Sequence, residues 1–198
     1  MVGSILKLVL VGVFVANLTG CIVVNTPPGT QENGSNSSAP SPSSSSAADC
    51  STDWGANTKS ADRTVTAPIT AVAVEAQDCF DRLVVTTSAA SDGYLVQYVD
   101  SLMAEGSGMP VELRGGAILR VNVAAPAYDV NTGDPTFTPG NPSELADVSG
   151  FGSFRQVAWA GSFEGQTLIG IGLDSEHPFR VTISSDSGGT HLIIDVAH

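Results

Sequence analysis

The sequence predicts an all-β fold, an antiparallel β-sandwich or open barrel of about eight to nine strands. After residue 50, short runs of β-branched and aromatic residues are separated by Gly, Asp, Ser and Pro, and each run has the length of a strand. Apolar and polar residues alternate within several runs, as they do where one face of a sheet packs on a core. Helical periodicity is nearly absent, and only residues 143–147 could form a short helical turn.

Eight runs are predicted as strands because turn residues bound each of them. Two-residue and longer polar connections between neighbouring runs are typical of antiparallel hairpins. In chain order, the predicted strands are residues 64–76, 81–88, 93–99, 117–125, 154–163, 166–173, 179–184 and 191–197.

Alternation within three of these runs predicts which side chains face the core. Trp159 and Phe163 could also stack on sugar rings, but their placement on the same face as Val157 favours a core role. The predicted core-facing side chains are Leu119, Val121, Val123, Val157, Trp159, Phe163, Phe179, Val181 and Ile183. Their predicted solvent-facing neighbours are Arg120, Asn122, Gln156, Ala158, Glu164, Arg180 and Thr182.

The sequence Asp-Ser-Gly-Gly at residues 186–189 is similar to the motif around the nucleophile of trypsin-like proteases. Acyl transfer by a serine requires a histidine base and a carboxylate that orients it. The histidine of that family lies far upstream in an Ala-His-Cys setting, whereas the only upstream histidine here is His177. Asp, Ser and paired Gly between two strands instead predict a hairpin turn. No catalytic residues are predicted.

No metal site and no cofactor are predicted. The three histidines show no spacing typical of zinc ligands. Asp129, Asn131 and Asp134 carry oxygen atoms that could hold calcium, but Gly133 occupies a ligand position of the EF-hand pattern. Gly140 stands where that pattern requires a bidentate glutamate.

Residues 126–150 contain repeated Pro and Gly and no clear strand. Loops of this length are uncommon unless they are functional or disordered. Two interpretations stay open: a functional flap over one edge of the sheet, and an insertion that is merely tolerated, since loops accept extra residues at low entropic cost.

Residues 1–20 have the three parts of an export signal: a start with Lys7, an apolar segment at 8–16 and small residues before Cys21. The apolar segment is too short for a membrane span, which needs about 20 residues. Leu-Thr-Gly-Cys at 18–21 resembles the bacterial lipobox, which implies that Cys21 carries a diacylglyceryl group and becomes the first residue. In the alternative, a secretory signal, Cys21 would remain a reactive free thiol.

Residues 21–49 are rich in Ser, Pro, Asn, Thr and Gly and cannot form a core. As a flexible coil this segment spans about 30 Å, so we expect a tether between the membrane and a folded domain at residues 50–198. The net charge of −12, with charged residues at only 14%, argues against nucleic acid and anionic lipid headgroups as partners.

Cys50 and Cys79 remain as a pair outside the cytoplasm, where disulfides persist. A bridge between them would stabilise the fold by about 3.6 kcal/mol through chain entropy. Two unpaired thiols remain the alternative, because the sequence does not establish how close the two residues lie.

Several runs follow, in order, the pattern of the AMIN-like domain of actinobacterial secreted proteins and lipoproteins. They are DRLVVTTS, GYLVQYV, GSFEG, IGIGLDSEHPFRV and HLIIDVAH. The resemblance extends from about residue 64 to 198. That domain is similar to AMIN, a non-catalytic β-sandwich that directs cell-wall amidases to peptidoglycan or the division site. Asp81, Arg82 and Asp195 match recurring polar positions, which we interpret as pairing between strands.

The predicted function is therefore that of a lipid-anchored, extracytoplasmic cell-envelope protein that is not an enzyme. The resemblance implies that it binds peptidoglycan or an envelope protein partner, while the anchor at Cys21 attaches it to the membrane. The alternative is a small-molecule-binding lipoprotein whose pocket lies between the sheets, under the loop at 126–150. The ligand-binding residues are not predicted.

Overall fold

The structure, a computed structural model, describes residues 50–62 and 66–198. These residues contain nine β-strands. The predicted signal peptide, Cys21 and the tether lie outside the described residues. Within them there is no helix, and so none long and apolar enough to cross a membrane. The strands are β1 (Lys59–Ala61), β2 (Ile69–Ala76), β3 (Phe80–Thr87), β4 (Tyr94–Val99), β5 (Ala117–Val123), β6 (Phe154–Phe163), β7 (Gln166–Leu173), β8 (Phe179–Asp186) and β9 (Gly189–Ala197).

The strands form two antiparallel sheets. One has five strands in the order β1-β4-β5-β7-β6, and the other has four in the order β2-β3-β9-β8. The prediction of an all-β fold is confirmed, and the two separate sheets make it a sandwich rather than a barrel. Strand β1 was not predicted, because its three residues, Lys-Ser-Ala, contain no β-branched or aromatic side chain.

The core lies between the two sheets, where alternate residues from both pack into one cluster. Leu119 and Val121 of β5 meet Leu83 of β3 and Ile194 of β9 in this cluster, and all four are fully buried. Burial of each such side chain contributes about 1.5 to 3 kcal/mol to folding. The alternation in the sequence of β5 therefore identified its core face correctly.

The predicted core position of Phe163 is wrong, since this residue is 50% exposed. Trp159 and Ser162 of β6 pair with residues of β7 that are only two apart, so β6 holds one extra residue. Gly161, with φ of +108°, lies in this bulge. A shift of one residue moves every later side chain to the other face, and Phe163 consequently points away from the face of Trp159.

The predicted core position of Ile183 is also wrong, since this residue is 42% exposed. Burial declines along β8 from the fully buried Phe179 through the half-buried Val181 to the exposed residues that follow. Because β8 is an edge strand, its second half extends beyond the core, and alternation in the sequence does not reveal where the facing sheet ends.

The segment 126–150 runs along the outer edge of β6. The N–H of Leu145 donates to the carbonyl of Val157 at 2.8 Å, and the N–H of Trp159 donates to the carbonyl of Pro142 at 2.7 Å. The segment thus covers an edge that would otherwise expose unpaired backbone groups. The segment also packs three side chains against the core between the sheets, namely Phe137, Leu145 and Val148. It therefore does not cover a pocket there, as one prediction from the sequence had it.

Candidate functional site

A disulfide joins Cys50 and Cys79, as the sequence analysis expected, with their Cα atoms 5.4 Å apart. It holds the first described residues against the start of β3. The ring of Trp54 packs edge-on against Phe80 with centroids 5.8 Å apart. The disulfide and this aromatic contact both attach the beginning of the folded domain to β3.

Asp81 on β3 is fully buried and connects the two sheets. Its carboxylate accepts hydrogen bonds from the backbone N–H groups of Gly152 (3.3 Å), Ser153 (2.6 Å) and Phe154 (2.9 Å), and from the Ser153 hydroxyl (2.8 Å). Such charge-assisted bonds are stronger than bonds between neutral groups. Asp81 therefore positions the start of β6, which forms part of the cleft described below.

Asp195 on β9 is 1% exposed and pairs with two arginines on neighbouring strands. Arg82 Nε donates to it at 2.7 Å and Arg180 Nε at 2.9 Å. The hydrogen bond to Asp195 raises the pKa of Arg82. Arg180 also lies 4.3 Å from the ring centroid of Trp54. These contacts join adjacent strands, which agrees with the strand-pairing interpretation of Arg82 and Asp195.

The histidines and the protease-like motif do not assemble a triad around Ser187. This serine lies in the turn between β8 and β9, where Asp186 and Gly189 form the closing pair. His191 contacts Asp186 at 3.1 Å and its cross-strand neighbour Thr86 at 3.0 Å. The turn prediction is confirmed, and the positive φ of +137° lies at Gly189, in the closing pair, where a residue with a side chain would be strained.

His177 contacts Asp174 at 2.9 Å and Ser175 at 3.1 Å, both through the same atom, Nε2. A catalytic triad requires the carboxylate and the hydroxyl at opposite ring nitrogens. This local cluster therefore lacks the geometry for proton transfer between a serine and an acid.

The sequence Asp-Val-Asn-Thr-Gly-Asp at 129–134 forms a closed turn. The Oδ1 atom of Asp129 accepts hydrogen bonds from the N–H groups of Asn131 (2.7 Å) and Thr132 (3.3 Å), an arrangement typical of Asx turns. The bond from Asn131 lowers the pKa of Asp129. Across the described ranges, no group of three or more His, Cys, Asp or Glu residues is suited to hold a metal ion.

A cleft of about 700 Å³ lies where the end of the 126–150 segment meets the start of β6 and the connection between β4 and β5. This volume falls in the range typical of ligand sites, about 300 to 1,000 Å³. We call it the loop cleft. Its lining residues are Arg114, Glu144, Ala146, Asp147, Val148, Ser149, Phe151, Phe154 and Arg155.

Two guanidinium groups stand in the wall of the loop cleft. Arg114 forms an ion pair with Glu144 and donates to the carbonyl of Arg155 at 2.9 Å. Arg155 in turn donates to the carbonyl of Phe154 at 2.9 Å and lies 3.5 Å from Asp174. The arginine side chains nevertheless remain 59% and 38% exposed, so both can also contact a ligand.

A buried amide holds this wall in place. Gln156, only 6% exposed, accepts a hydrogen bond from the N–H of Arg114 at 2.8 Å and donates one to the carbonyl of Ser143 at 2.8 Å. Its predicted exposure to solvent is wrong, as is that of Ala158, because the connection between β4 and β5 packs its apolar side chains on this face of the sheet. In the sequence, only the position of this glutamine, close to a long Pro-rich loop, could have indicated that it is buried.

The loop cleft is suited to bind a ligand that carries carboxylates and amides. The N–H of Ser149 lowers the pKa of Asp147, so the lining presents carboxylates as well as guanidinium groups. A guanidinium fork can bind a carboxylate through two parallel hydrogen bonds. The lining includes neither histidine nor cysteine, so it offers no histidine base beside the hydroxyl of Ser149.

Residues 67–198 match the family described as the AMIN-like domain. The matched segment contains strands β2 to β9, the buried Asp81 and all the residues that line the loop cleft. It agrees with the resemblance in the strand sequences. No curated protein matches the chain.

Proposed function

The chain belongs to the AMIN-like domain family, and from that premise we propose that it is a lipid-anchored, non-catalytic module of the cell envelope that binds peptidoglycan through the loop cleft. Domains of this family are targeting modules associated with peptidoglycan and lie outside the cytoplasm. A disulfide between Cys50 and Cys79 suits an oxidising compartment. In this proposal, lipid on Cys21 supplies the anchor and residues 21–49 supply the tether.

The observation that carries this proposal is the pair of exposed guanidinium groups, Arg114 and Arg155, beside the ring of Phe151. Peptidoglycan consists of N-acetylated sugars and short peptides that bear amides and carboxylates. Guanidinium groups suit those carboxylates, while an aromatic ring can pack on a sugar face. The net charge of −12 makes general electrostatic adhesion to an anionic wall unfavourable, so recognition depends on these local contacts.

The first prediction concerns Arg114. We expect Arg114→Gln to weaken sedimentation of the detergent-solubilised full chain with purified peptidoglycan about tenfold, which corresponds to about 1.4 kcal/mol. The cause is the loss of a ligand contact by a side chain that is 59% exposed. Bound and unbound protein are quantified after centrifugation over a range of peptidoglycan concentrations.

Arg120→Gln is the matched control. Arg120 also carries a single positive charge and also pairs with a glutamate, Glu105, at 3.5 Å, but it does not line the loop cleft. This variant is expected to sediment like the unmodified chain. Equal losses in the two variants, or no sedimentation of the unmodified chain, would contradict the proposed function.

The volume of the loop cleft also favours a second candidate, a small soluble ligand. This candidate differs from the pocket between the sheets that the sequence suggested, because side chains of the 126–150 segment fill the core there. Calorimetry with a disaccharide-peptide fragment of peptidoglycan separates the two candidates. Peptidoglycan binding predicts competition between the fragment and the polymer, whereas a site for an unrelated small ligand predicts none.

A further inference from the structure

Among the described residues, none covers the outer edge of β8 beyond its first residue. The N–H of Phe179 donates to the carbonyl of Gly55 at 3.0 Å, so the odd-numbered residues of β8 direct their backbone groups away from β9. These groups at Val181, Ile183 and Ser185 therefore face outward. No backbone hydrogen bond from residues 50–62 or 66–198 reaches them.

The edges formed by β1 and β6 carry the protection that natural proteins use against unwanted strand pairing, and the edge of β2 carries it at its start. Strand β1 has only three residues, and the 126–150 segment covers β6. Strand β2 begins with a bulge beside Ile69, whose backbone is held by Pro126 and Thr136. Strand β8 has eight residues, like β2, but its register has no bulge from end to end, and it contains neither Pro nor Lys. Its edge is suited to accept another strand.

The two ends of β8 carry opposite charges. At the start, Arg180 and Arg82 share the single carboxylate of Asp195, and Lys59 lies 4.2 Å from the ring centroid of Phe179. At the end stands Asp186, whose side chain is 65% exposed. A strand with a positive start and a negative end is complementary to a second copy of itself that runs in the opposite direction.

We propose that two copies of this chain pair through the outer edges of β8, antiparallel across a two-fold axis, with Ile183 opposite Ile183 of the second copy. Only odd-numbered residues can exchange backbone hydrogen bonds across this edge, which restricts the possible registers. In the proposed register, Arg180 stands opposite Asp186 at both ends, and Val181 stands opposite Ser185.

This pairing gives hydrogen-bond partners to the outward backbone groups of β8 and buries its exposed apolar side chain. The outward backbone groups of Val181, Ile183 and Ser185 form pairs that each exchange two N–H···O bonds. The exposed side chain of Ile183 becomes buried against its symmetry mate. Both four-stranded sheets join into one continuous sheet, and the dimer presents two loop clefts, which would strengthen binding to any polymeric ligand.

The second prediction tests this dimer by disulfide crosslinking of the full chain in its own envelope. Ile183→Cys replaces an exposed side chain on the proposed axis, and a mild oxidant is expected to shift most of the protein to twice its mass on a non-reducing gel. Val130→Cys is the matched control, because Val130 is 70% exposed but lies in the 126–150 segment, away from β8.

Asp186→Lys in the Ile183→Cys background adds a test of register. It places like charges opposite each other and is expected to reduce crosslinking several-fold, whereas Asp134→Lys, which changes an exposed aspartate of the 126–150 segment, is expected to leave it unchanged. The proposal fails if Ile183→Cys crosslinks no better than Val130→Cys. It also fails if the crosslinked product contains a protein other than a second copy of this chain.

Discussion

At the scale of single residues, buried polar side chains decide the shape of the candidate site. Asp81 and Gln156 do not line the loop cleft, yet their hydrogen bonds hold the backbone of the residues that do. Asp81 binds the strand start at residues 152–154, and Gln156 joins Arg114 to Ser143. A buried group of this kind is costly if it loses its partners, so the cleft and the stability of the fold depend on the same side chains.

The third prediction concerns Asp81. We expect Asp81→Asn to lower the free energy of unfolding by about 2 to 4 kcal/mol, because the amide loses the charge and turns N–H donors toward the backbone N–H groups of residues 152–154. Denaturant unfolding of the full chain, followed by tryptophan fluorescence, measures this change. The exposed Asp100→Asn should change it by less than about 0.5 kcal/mol, and a similar result for both variants would contradict the role assigned to Asp81.

At the scale of elements, turns and bulges determine where the side chains of β6 point. The β6–β7 hairpin has a two-residue turn, Glu164-Gly165, in which φ is +48° and +80°. Positive φ at both positions is typical of type I′ turns, which favour Asn-Gly. Glu164 is the only non-glycine residue with positive φ in the described ranges, so the hairpin forms despite an unfavourable first residue.

The fourth prediction follows from this turn. Glu164→Asn should raise the free energy of unfolding by about 0.5 to 1 kcal/mol, because asparagine adopts the left-handed region more readily than glutamate. Glu176→Asn is the control, because Glu176 is also exposed but does not have a positive φ. Calorimetric melting of the two full-length variants provides the comparison. A destabilised Glu164→Asn variant would mean that Glu164 contributes contacts that outweigh its strain.

At the scale of the whole molecule, the disulfide stands at the junction between the proposed tether and the sandwich. Cys50 is the first described residue, and its bond to Cys79 fixes the chain to β3. In the proposed arrangement the tether gives the domain a reach of about 30 Å. The bridge, which contributes about 3.6 kcal/mol through chain entropy, keeps the start of the domain attached to the sheet.

The fifth prediction concerns the anchor. We expect the protein extracted from membranes to have the mass of residues 21–198 plus a diacylglyceryl group, since stable attachment requires at least two acyl chains or an equivalent second signal. Intact-mass spectrometry measures this directly. Cys21→Ser removes the thiol and should abolish the added mass, and an unmodified mass for the natural chain would refute the anchor.

The sequence by itself determined the fold class, eight of the nine strands and the hairpin at residues 186–189, because each depends on short-range patterns of residue type. It indicated the disulfide, but only the fold brings Cys50 and Cys79 within bonding distance. Only the tertiary structure decided the outcome for Phe163, Ile183 and Gln156. A one-residue bulge reverses the face of Phe163, the limit of the core leaves Ile183 exposed, and the distant connection between β4 and β5 buries Gln156. The loop cleft could not be predicted from the sequence for the same reason, because contacts between distant segments bring Arg114, Glu144 and Arg155 together.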